Sequence, residues 1–389
     1  MCFFINPKRS SALLNPNPGA VHPNRQEIPA LRARSLTSRA DRTRKARHER
    51  LNGVTSFTLA HLSDPHLGPL PHAGWAALMN KRLSGFLSWT RNRVKIHRPE
   101  VLALLREDLK RQAHDHVAIT GDLVNISLPA EFANAASWLQ SIAPPERATV
   151  IPGNHDAYVN LPWHQGAGLW GPYMRGARAP GTAETLPADA SDFPFTRRCG
   201  SVALIGTSTA LPMPLFIAAG RLGEAQCARL AAQLRQAGEE GLFRVVLIHH
   251  PPFGGGAYKR KSLLDAQEFQ AVIAAHGAEL ILHGHTHVSG LARLATPNGA
   301  APVIGVPSAS AIAAGHKDAS RYHLYRIERH ENSWSLEVEI RGLTEKRDGF
   351  ERQGSMALAI PLLSSQAVTS TKEASPQTAP LGMAAGAVI

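Results

Sequence analysis

The chain has 389 residues, of which 43% are hydrophobic, so it is long enough to bury one large core or two ordinary ones. No apolar run approaches the roughly 18 residues that cross a bilayer, which argues against an integral membrane protein. The net charge of +12 could indicate nucleic-acid binding, but residues 1–52 contain 11 Lys and Arg against 3 Asp and Glu. The basic character therefore belongs mainly to the N-terminal arm, and we do not expect the body of the chain to bind nucleic acid.

Both ends of the chain differ in composition from the middle. Residues 1–52 are rich in Pro, Asn, Ser and Arg and are predicted to be a disordered basic arm. Its run 39–50 could contact nucleic acid or anionic lipid, but a solvated arm, or translated sequence upstream of the natural start, is the favoured interpretation. Residues 353–389, rich in Ser, Thr, Ala and Pro, are predicted to be a disordered tail. Residues 53–352 are then expected to form the folded domain.

The cysteines indicate a reducing compartment. Cys2, Cys199 and Cys227 are odd in number and widely spaced, so we do not expect a disulfide framework. The N-terminus is not expected to be a secretory signal, because its apolar part is short and its basic residues follow that part. These observations predict a cytoplasmic protein.

Short apolar runs alternate with helical periodicities along the folded part. The predicted strands are 57–63, 117–120, 148–151, 202–206, 245–248, 278–282, 303–306, 322–328 and 334–340, and the last three look antiparallel. The predicted helices are 99–112, 129–141, 222–236 and 263–276. Residues 158–198, rich in Gly, Pro and aromatic residues, are expected to form a long irregular connection.

Residues 72–98 interrupt this alternation as an amphipathic, basic and helical insertion. Apolar residues recur there at helical spacing, at positions 75, 78, 79, 83, 86 and 87. The favoured interpretation is a helix packed on the core. The alternative is a lid, or a surface that contacts an anionic lipid, a lipid-like substrate or a membrane surface.

Polar side chains follow five of the predicted strands at the point where each strand ends. They are Asp64 and His66, Asp122, Asn154 and His155, His249, and His285 and His287. Because the carboxyl ends of parallel strands meet at one edge of a sheet, we expect these side chains to converge.

The number and type of these donors indicate two metal ions rather than one. A mixed set of imidazole nitrogens and oxygens favours Mn, Fe or Zn over Mg or Ca. Two ions about 3.5–4 Å apart need a bridging ligand, which a carboxylate can provide. The chain offers no cysteine ligand and no serine nucleophile motif, so the expected nucleophile is a metal-bound hydroxide.

The order of these motifs resembles that of the calcineurin-like metallophosphoesterase superfamily. The motifs are Asp64-Pro-His66, Gly121-Asp122, Gly153-Asn154-His155-Asp156, His249-His250-Pro251 and Gly284-His285-Thr286-His287, over roughly residues 57–310. The resemblance implies an α/β fold, a four-layer α-β-β-α sandwich of two mixed sheets flanked by helices.

The resemblance also implies roles for individual residues. One metal would be bound by Asp64, His66, Asp122 and His287, and the other by Asp122, Asn154, His249 and His285, with Asp122 bridging. His155 would be a catalytic residue that stabilises the phosphoryl charge or protonates the leaving oxygen. His283 would then be a structural residue.

Two departures from the family pattern narrow the subclass. Ser/Thr protein phosphatases carry Asp-Arg-Gly soon after the Gly-Asp motif, whereas here Asn125 stands where an acid would pair with His155, and no Arg follows to clamp the phosphate. The run Ser63-Asp64-Pro65-His66-Leu67, together with His249-His250-Pro251-Pro252, looks more like the bacterial cyclic-nucleotide phosphodiesterase branch.

Three functions remain open at this point. The first is a metal-dependent phosphodiesterase that acts on a small phosphodiester, with a cyclic nucleotide as one candidate. The second keeps the metals but hydrolyses the pyrophosphate of a lipid-linked nucleotide-sugar. The third, from another class, is a nucleic-acid-binding protein that uses the basic N-terminal arm.

Overall fold

The computed structural model describes residues 56–253 and 260–361. The predicted basic arm 1–52 and the tail beyond residue 361 lie outside these residues, as does the Gly254–Gly256 loop.

One mixed sheet has six strands. In spatial order they are β14 (Phe350–Pro361), β13 (Ser333–Leu343), β12 (Arg321–Arg329), β1 (Ser56–Leu62), β2 (His116–Ile119) and β3 (Ala148–Val150). The last three strands are parallel, while β12 pairs antiparallel with β1 in the register Leu59 to Tyr325.

The other mixed sheet has eight strands. In spatial order they are β10 (Gly290–Thr296), β11 (Gly299–Gly305), β9 (Leu280–His283), β8 (Phe243–Leu247), β7 (Val202–Gly206), β6 (Phe195–Cys199), β4 (Gly176–Ala177) and β5 (Glu184–Thr185). The strands β7, β8, β9 and β11 run parallel, and the remaining pairs are antiparallel.

The core lies between the two sheets and beneath the helices on either side. On β8, Val245 and Leu247 join the cluster shared with the first sheet, whereas Val246 faces the helices on the other side. A strand that is buried on both faces has apolar residues at successive positions. This is why β8 could be predicted from the sequence. The predicted four-layer sandwich is confirmed.

Four longer helices supply the outer layers. They are α3 (Pro99–Arg111), α4 (Pro129–Ile142), α5 (Glu224–Glu239) and α6 (Ala266–His276). Pro at the first position of α3 and of α4 fits a helix start, because proline fixes φ and its missing N–H has no intrahelical acceptor there. No helix in the described part of the chain is long and apolar enough to cross a membrane.

Three sequence predictions need correction. The segment 158–198 is not irregular throughout, because β6 begins at Phe195 and the fully buried Trp170 belongs to the core. The strand β10 was missed. The predicted tail begins too early, because β14 continues to Pro361 and pairs with β13. Along β14 only every second residue turns inward, and this alternation was hidden by a composition rich in Ser and Ala.

The insertion 72–98 is helical in three short pieces. They are α1 (Trp75–Leu78), α2 (Arg82–Arg91) and a 3₁₀ turn at Arg93–Lys95. Leu78 and Trp89 are buried, and Phe86 packs against a small cluster with Ile126. The outer face of α2 nevertheless carries exposed apolar side chains. The insertion therefore packs on the core, as the favoured interpretation expects, and its outer face stays exposed.

Candidate metal centre

The loops that follow neighbouring strands are joined by backbone hydrogen bonds at one edge of the sandwich. After β1 and β2, the N–H of Asp64 donates to Gly121 O at 3.0 Å. After β8 and β9, the N–H of Gly284 donates to His249 O at 3.1 Å. His249, which follows β8 in one sheet, bonds through Nδ1 to Thr120 O, which follows β2 in the other, so the strand ends of both sheets meet, as the sequence predicts.

The backbone at these strand ends is strained. Five non-glycine residues there lie in the left-handed region, with φ between 42° and 69°: Asp64, His66, Asp122, His285 and His287. This conformation is uncommon for residues with a Cβ atom and persists only where the surrounding structure imposes it. All five are predicted metal ligands, so the strain coincides with the candidate site.

The first predicted ligand set is brought together. His287 Nε2 lies 3.2 Å from His66 Nε2 and 3.2 Å from Asp64 Oδ1. Asp122 Oδ2 lies 3.8 Å from His66 Nε2. Two imidazole nitrogens and two carboxylate oxygens thus face one small volume, and all four residues are buried.

The second predicted set converges beside the first. His249 Nε2 lies 3.5 Å from Asp122 Oδ2 and 3.1 Å from Asn154 Oδ1. His285 Nδ1 lies 2.8 Å from Asn154 Oδ1. Asp122 Oδ2 therefore lies between the two sets, which is the position that a bridging carboxylate oxygen must occupy.

Asp64 and Asp122 each use the carboxylate oxygen that faces away from the histidines to accept a backbone hydrogen bond. Asp64 Oδ2 accepts the N–H of His285 at 2.9 Å, and Asp122 Oδ1 accepts the N–H of His155 at 2.7 Å. These bonds fix the carboxylates and leave Asp64 Oδ1 and Asp122 Oδ2 directed at the histidines. At Gly284 a Cβ atom would collide with Ser63 Oγ and Asp64 Oδ2, so only glycine allows this approach.

Backbone carbonyls determine which ring nitrogen of each histidine faces the centre. His249 Nδ1 donates to Thr120 O at 2.6 Å, which leaves Nε2 free. His285 is reversed, because its Nε2 donates to Lys261 O at 2.9 Å and Nδ1 faces Asn154. Outer hydrogen bonds of this kind fix the tautomer of metal-binding histidines.

These residues fit a pair of metal ions. The triads Asp64, His66 and Asp122, and Asp122, His249 and His285, each hold their donor atoms within 4.8 Å of one another. Buried carboxylates are costly unless they are paired or coordinate cations. The donor set mixes imidazole nitrogen with carboxylate and amide oxygen, as borderline first-row metals prefer.

The pKa values of these side chains are shifted because the groups are buried close to one another. Burial would raise the pKa of Asp64, but His287 and His249 hold it well below its usual range. Burial likewise disfavours the ionised form of Asp122, yet His249 and His155 lower its pKa. Burial alone would lower the pKa of His249, but Asp122 and Asp64 raise it to about 9. The carboxylates are thus kept ionised, which is the form that binds metal, whereas a metal ion that binds His249 must displace the proton from its Nε2.

His155 lies beside the predicted ligands, and its ring is held by a backbone oxygen. Its Nδ1 donates to the backbone carbonyl of Asn125 at 2.6 Å, so a main-chain oxygen replaces the carboxylate missing at position 125. The Asn125 amide instead donates to Leu67 O at 2.7 Å. Burial and the nearby Arg93 lower the pKa of His155 to about 3.

Asp156 has a role that the sequence analysis did not assign. Its buried carboxylate accepts the N–H groups of Asp122 at 2.7 Å, Gly153 at 2.8 Å and Val124 at 3.0 Å. These bonds tie the loop after β2 to the loop after β3. The residue therefore positions Asp122 and Asn154 relative to each other.

Two cations near the centre were also missed. Arg93 comes from the insertion, and its Nη2 lies 3.0 Å from both ring nitrogens of His66, while its Nη1 lies 3.1 Å from His155 Nε2. Lys317 Nζ lies 3.2 Å from His287 Nδ1. Both residues are far from the ligand motifs in sequence, and only their place in the fold brings them here.

Three further histidines line the centre. His97 is buried, its Nδ1 lies 2.9 Å from Ser310 Oγ, and it groups with His66 and His287 as potential donors. The ring of His250 packs 4.2 Å from that of His285. His283 is buried, and its Nδ1 donates to the Gly284 carbonyl at 3.0 Å. His250 also follows a predicted strand, so the pattern that identified His249 could have identified it too. His97 follows no predicted strand and could not be found in this way.

Comparison with protein families identifies one match. The family model described as calcineurin-like phosphoesterase matches residues 57–289. No curated protein matches the chain.

Solved structures with a similar arrangement share little sequence with this chain. A dimetal phosphatase from Danio rerio has a TM-score of 0.48 and 14% identity, over 79% of this chain and 99% of its own. A 5'-nucleotidase precursor from Thermus thermophilus has a TM-score of 0.38 and 12% identity, over 79% and 55%. A calcineurin-like phosphoesterase from Bacillus subtilis has a TM-score of 0.35 and 10% identity, over 79% and 91%.

Proposed function

Because the chain belongs to the calcineurin-like phosphoesterase family, and members of this family are metal-dependent hydrolases, we propose that it hydrolyses a small phosphodiester with the help of two metal ions. Cyclic nucleotides are the first substrates to test. The observation that carries the proposal is the shared position of Asp122 Oδ2, 3.8 Å from His66 Nε2 and 3.5 Å from His249 Nε2.

The metals would be held by residues that the fold already orients. Asp64, His66, Asp122 and His287 form the first set, and Asp122, Asn154, His249 and His285 form the second. When bound, such a pair supplies Lewis acidity to the phosphoryl oxygens and lowers the pKa of a coordinated water. The nitrogen-rich donor set supports Mn, Fe or Zn as the occupants.

The remaining residues of the centre act on the substrate. Arg93 reaches the ring of His155 and the ring of His66 with different guanidinium nitrogens, so it can offer two donors to a phosphate in front of both. Lys317 adds a second positive charge on the His287 side. In this proposal Arg93 replaces the arginine clamp that the motif after Asp122 lacks.

His155 is proposed to donate a proton to the leaving oxygen of the ester. With its Nδ1–H fixed on Asn125 O, the ring presents Nε2 to the centre. Burial and Arg93 disfavour a charged imidazole, but a bound phosphate would oppose both effects by adding negative charge nearby. The ring would then become a proton donor only when substrate is present.

The proposal is tested on purified protein reconstituted separately with Mn, Zn and Fe. The substrates are a bis-aryl phosphodiester, a 3′,5′-cyclic nucleotide, an aryl monoester and a lipid pyrophosphate. We expect diester hydrolysis that a chelator abolishes and metal restores. Hydrolysis that survives complete metal removal, or that is unchanged in His249→Ala, would refute the metal assignment. A preference for the monoester would refute the substrate class alone.

A second candidate function is hydrolysis of the pyrophosphate in a lipid-linked nucleotide-sugar. It is favoured by the exposed apolar side chains of the insertion, where Trp75 is 81% exposed and Met79 is 82% exposed. Hydrolysis that requires detergent micelles or vesicles would support this candidate. Faster turnover of a soluble diester without any interface would count against it.

The third function, nucleic-acid binding by the arm 1–52, concerns residues outside the described part of the chain and stays a prediction. A cytoplasmic location also stays a prediction. Burial raises the pKa of the Cys199 thiol to about 12 and that of the Cys227 thiol to about 11. Thiols with raised pKa values are poorly reactive.

A further inference from the structure

An apolar surface surrounds the insertion close to the metal centre. It consists of large side chains that solvent reaches: Trp75 (81% exposed), Met79 (82%), Leu83 (43%), Leu87 (39%), Val94 (38%), Leu215 (49%) and Phe216 (80%). We call these seven residues the apolar rim. Large apolar side chains exposed together usually mark a binding surface.

The rim follows from the periodicity of the insertion. Leu83 and Leu87 are spaced by four residues and lie along one side of α2, while Met79 lies in the turn between α1 and α2. The opposite side is occupied, because Arg82 donates to Ser127 O at 2.6 Å and Trp89 is buried. Helix α2 therefore has apolar side chains on its covered side, at Trp89, and also on its exposed side, at Leu83 and Leu87.

The second part of the rim is held beside the first. Lys81 Nζ donates to Met213 O at 2.8 Å, which joins the insertion to the loop that carries Leu215 and Phe216. Phe216 has a φ of 63°, a conformation that costs a bulky residue energy. The ring of Phe216 is 80% exposed.

The insertion that carries most of the rim has charges of one sign. Between residues 68 and 98 the chain contains six Lys and Arg and no Asp or Glu. Arg91 and Lys95 are exposed next to the apolar side chains. An apolar face flanked by cations fits the boundary of an anionic bilayer, where apolar side chains enter the headgroup region and cations meet lipid phosphates. A second copy of this surface would bring like charges together.

The rim is also connected to the metal centre. Lys81 lies 4.2 Å above the ring of Tyr158, and Tyr158 stacks on His155 with ring centroids 5.7 Å apart. Arg93, at the end of the same insertion, contacts His66 and His155. A surface seated on the rim would therefore adjoin the entrance used by the substrate phosphate.

We propose that the apolar rim binds the protein to the surface of an anionic lipid bilayer, with the metal centre facing the headgroups. Attachment to a bilayer would determine where the protein acts, whichever ester it cleaves. Vesicle binding and hydrolysis are separate measurements, so failure of one is distinguishable from failure of the other.

The test is co-sedimentation of the full-length protein with vesicles. The vesicles contain either phosphatidylcholine alone or phosphatidylcholine with phosphatidylglycerol in equal amounts. We expect wild-type protein to sediment with the anionic vesicles and not with the neutral ones. The double variant Met79→Ser with Phe216→Ser should bind at least about tenfold more weakly, because binding scales with the apolar area that is buried.

The matched control removes two exposed leucines away from the rim. Leu186 and Leu291 are 45% and 52% exposed, so Leu186→Ser with Leu291→Ser makes a similar chemical change elsewhere. The control should bind as wild type does. Equal binding by the rim variant and wild type would overturn the proposal and assign any lipid affinity to another part of the chain, such as the basic arm. Wild-type protein that sediments with neither vesicle would overturn it in favour of a protein partner.

Discussion

The metal centre buries polar side chains that are usually exposed, whereas the apolar rim exposes apolar side chains that are usually buried. At the centre, Asp64 and His249 are wholly buried although such groups usually seek water, while at the rim Met79 and Phe216 are about four-fifths exposed. Each arrangement is costly for the isolated chain. The difference matches the two proposals, in which the centre binds metal ions and a phosphate and the rim binds the surface of an anionic bilayer.

The free-energy cost of burying polar groups is offset at the metal centre, whereas the cost of exposing apolar groups is not offset at the rim. Around the centre, backbone N–H groups hold Asp64, Asp122 and Asp156, so the polar groups have partners even though they are buried. At the rim, no comparable contacts compensate the exposed side chains among the described residues. Substitutions at the centre should therefore change chemistry or stability, and substitutions at the rim should change neither.

The largest effect is expected from Asp122→Asn. The amide keeps the shape but loses the charge that both ligand sets share, so we expect hydrolysis of a bis-aryl phosphodiester to fall about a thousandfold or more. Metal content should fall as well, measured by elemental analysis. Asp348→Asn, at an exposed position, is the control. Near-normal activity in Asp122→Asn would contradict the bridging assignment.

His155→Ala should reduce kcat by about a hundredfold or more while metal content stays unchanged, because the ring is not among the proposed ligands. The loss should depend on the ester. A substrate with a good aryl leaving group needs little protonation and should suffer less than an alkyl ester. A loss that is the same for both esters would contradict a role in protonation and leave only charge stabilisation.

Gly284→Ala should weaken metal binding by roughly ten- to a hundredfold, because the new Cβ atom displaces Asp64 and Ser63. Calorimetric titration of the metal-free protein measures the change. Gly290→Ala is the matched control, since a Cβ atom there meets nothing within 4 Å. Equal metal affinity in the two variants would show that the tight approach at Gly284 does not orient Asp64.

Arg93→Ala should lower kcat/KM for the diester by about tenfold, the expected loss for a charge-assisted contact to phosphate. Arg93→Lys should recover only part of this, because lysine cannot offer two fixed donors. Arg91→Ala, exposed two residues earlier on the same insertion, should behave as wild type. The idea fails if Arg91→Ala and Arg93→Ala lose the same activity.

The smallest effect is expected at the rim. Met79→Ser with Phe216→Ser should change the free energy of unfolding by no more than about 0.5 kcal/mol, because exposed side chains contribute little to folding. Chemical denaturation provides the measurement, and turnover of a soluble diester should be unchanged. A loss of several times that size would mean that these side chains pack in solution, and the rim would then not be a free surface.

Much of the centre was predictable because its ligands are local features of strands. The apolar run Val117–Ile119 is followed within three residues by Asp122. His249 directly follows the apolar run 245–248, and His285 comes three residues after Leu282. Strand direction then determines that such residues share an edge. The fold class was confirmed for the same reason, whereas the ligand and catalytic assignments stay predictions.

Other parts of the site could not be predicted in this way. Arg93 enters the centre because the helical insertion folds back towards His66, and the orienting partner of His155 is a main-chain oxygen that would exist with any side chain at position 125. The exposed apolar side of α2 has the same periodicity as a buried one, so spacing alone suggested core packing.

The sequence by itself determined which residues can act as ligands, because strand ends and their donor atoms are encoded within a few neighbouring positions. Only the tertiary structure decided that Asp122 Oδ2 lies between both ligand sets, that Arg93 faces His66 and His155, and that the described part of the chain leaves the rim uncovered. The physical reason is that these features depend on side chains distant in sequence, whose approach is set by how sheets and helices pack rather than by any local preference.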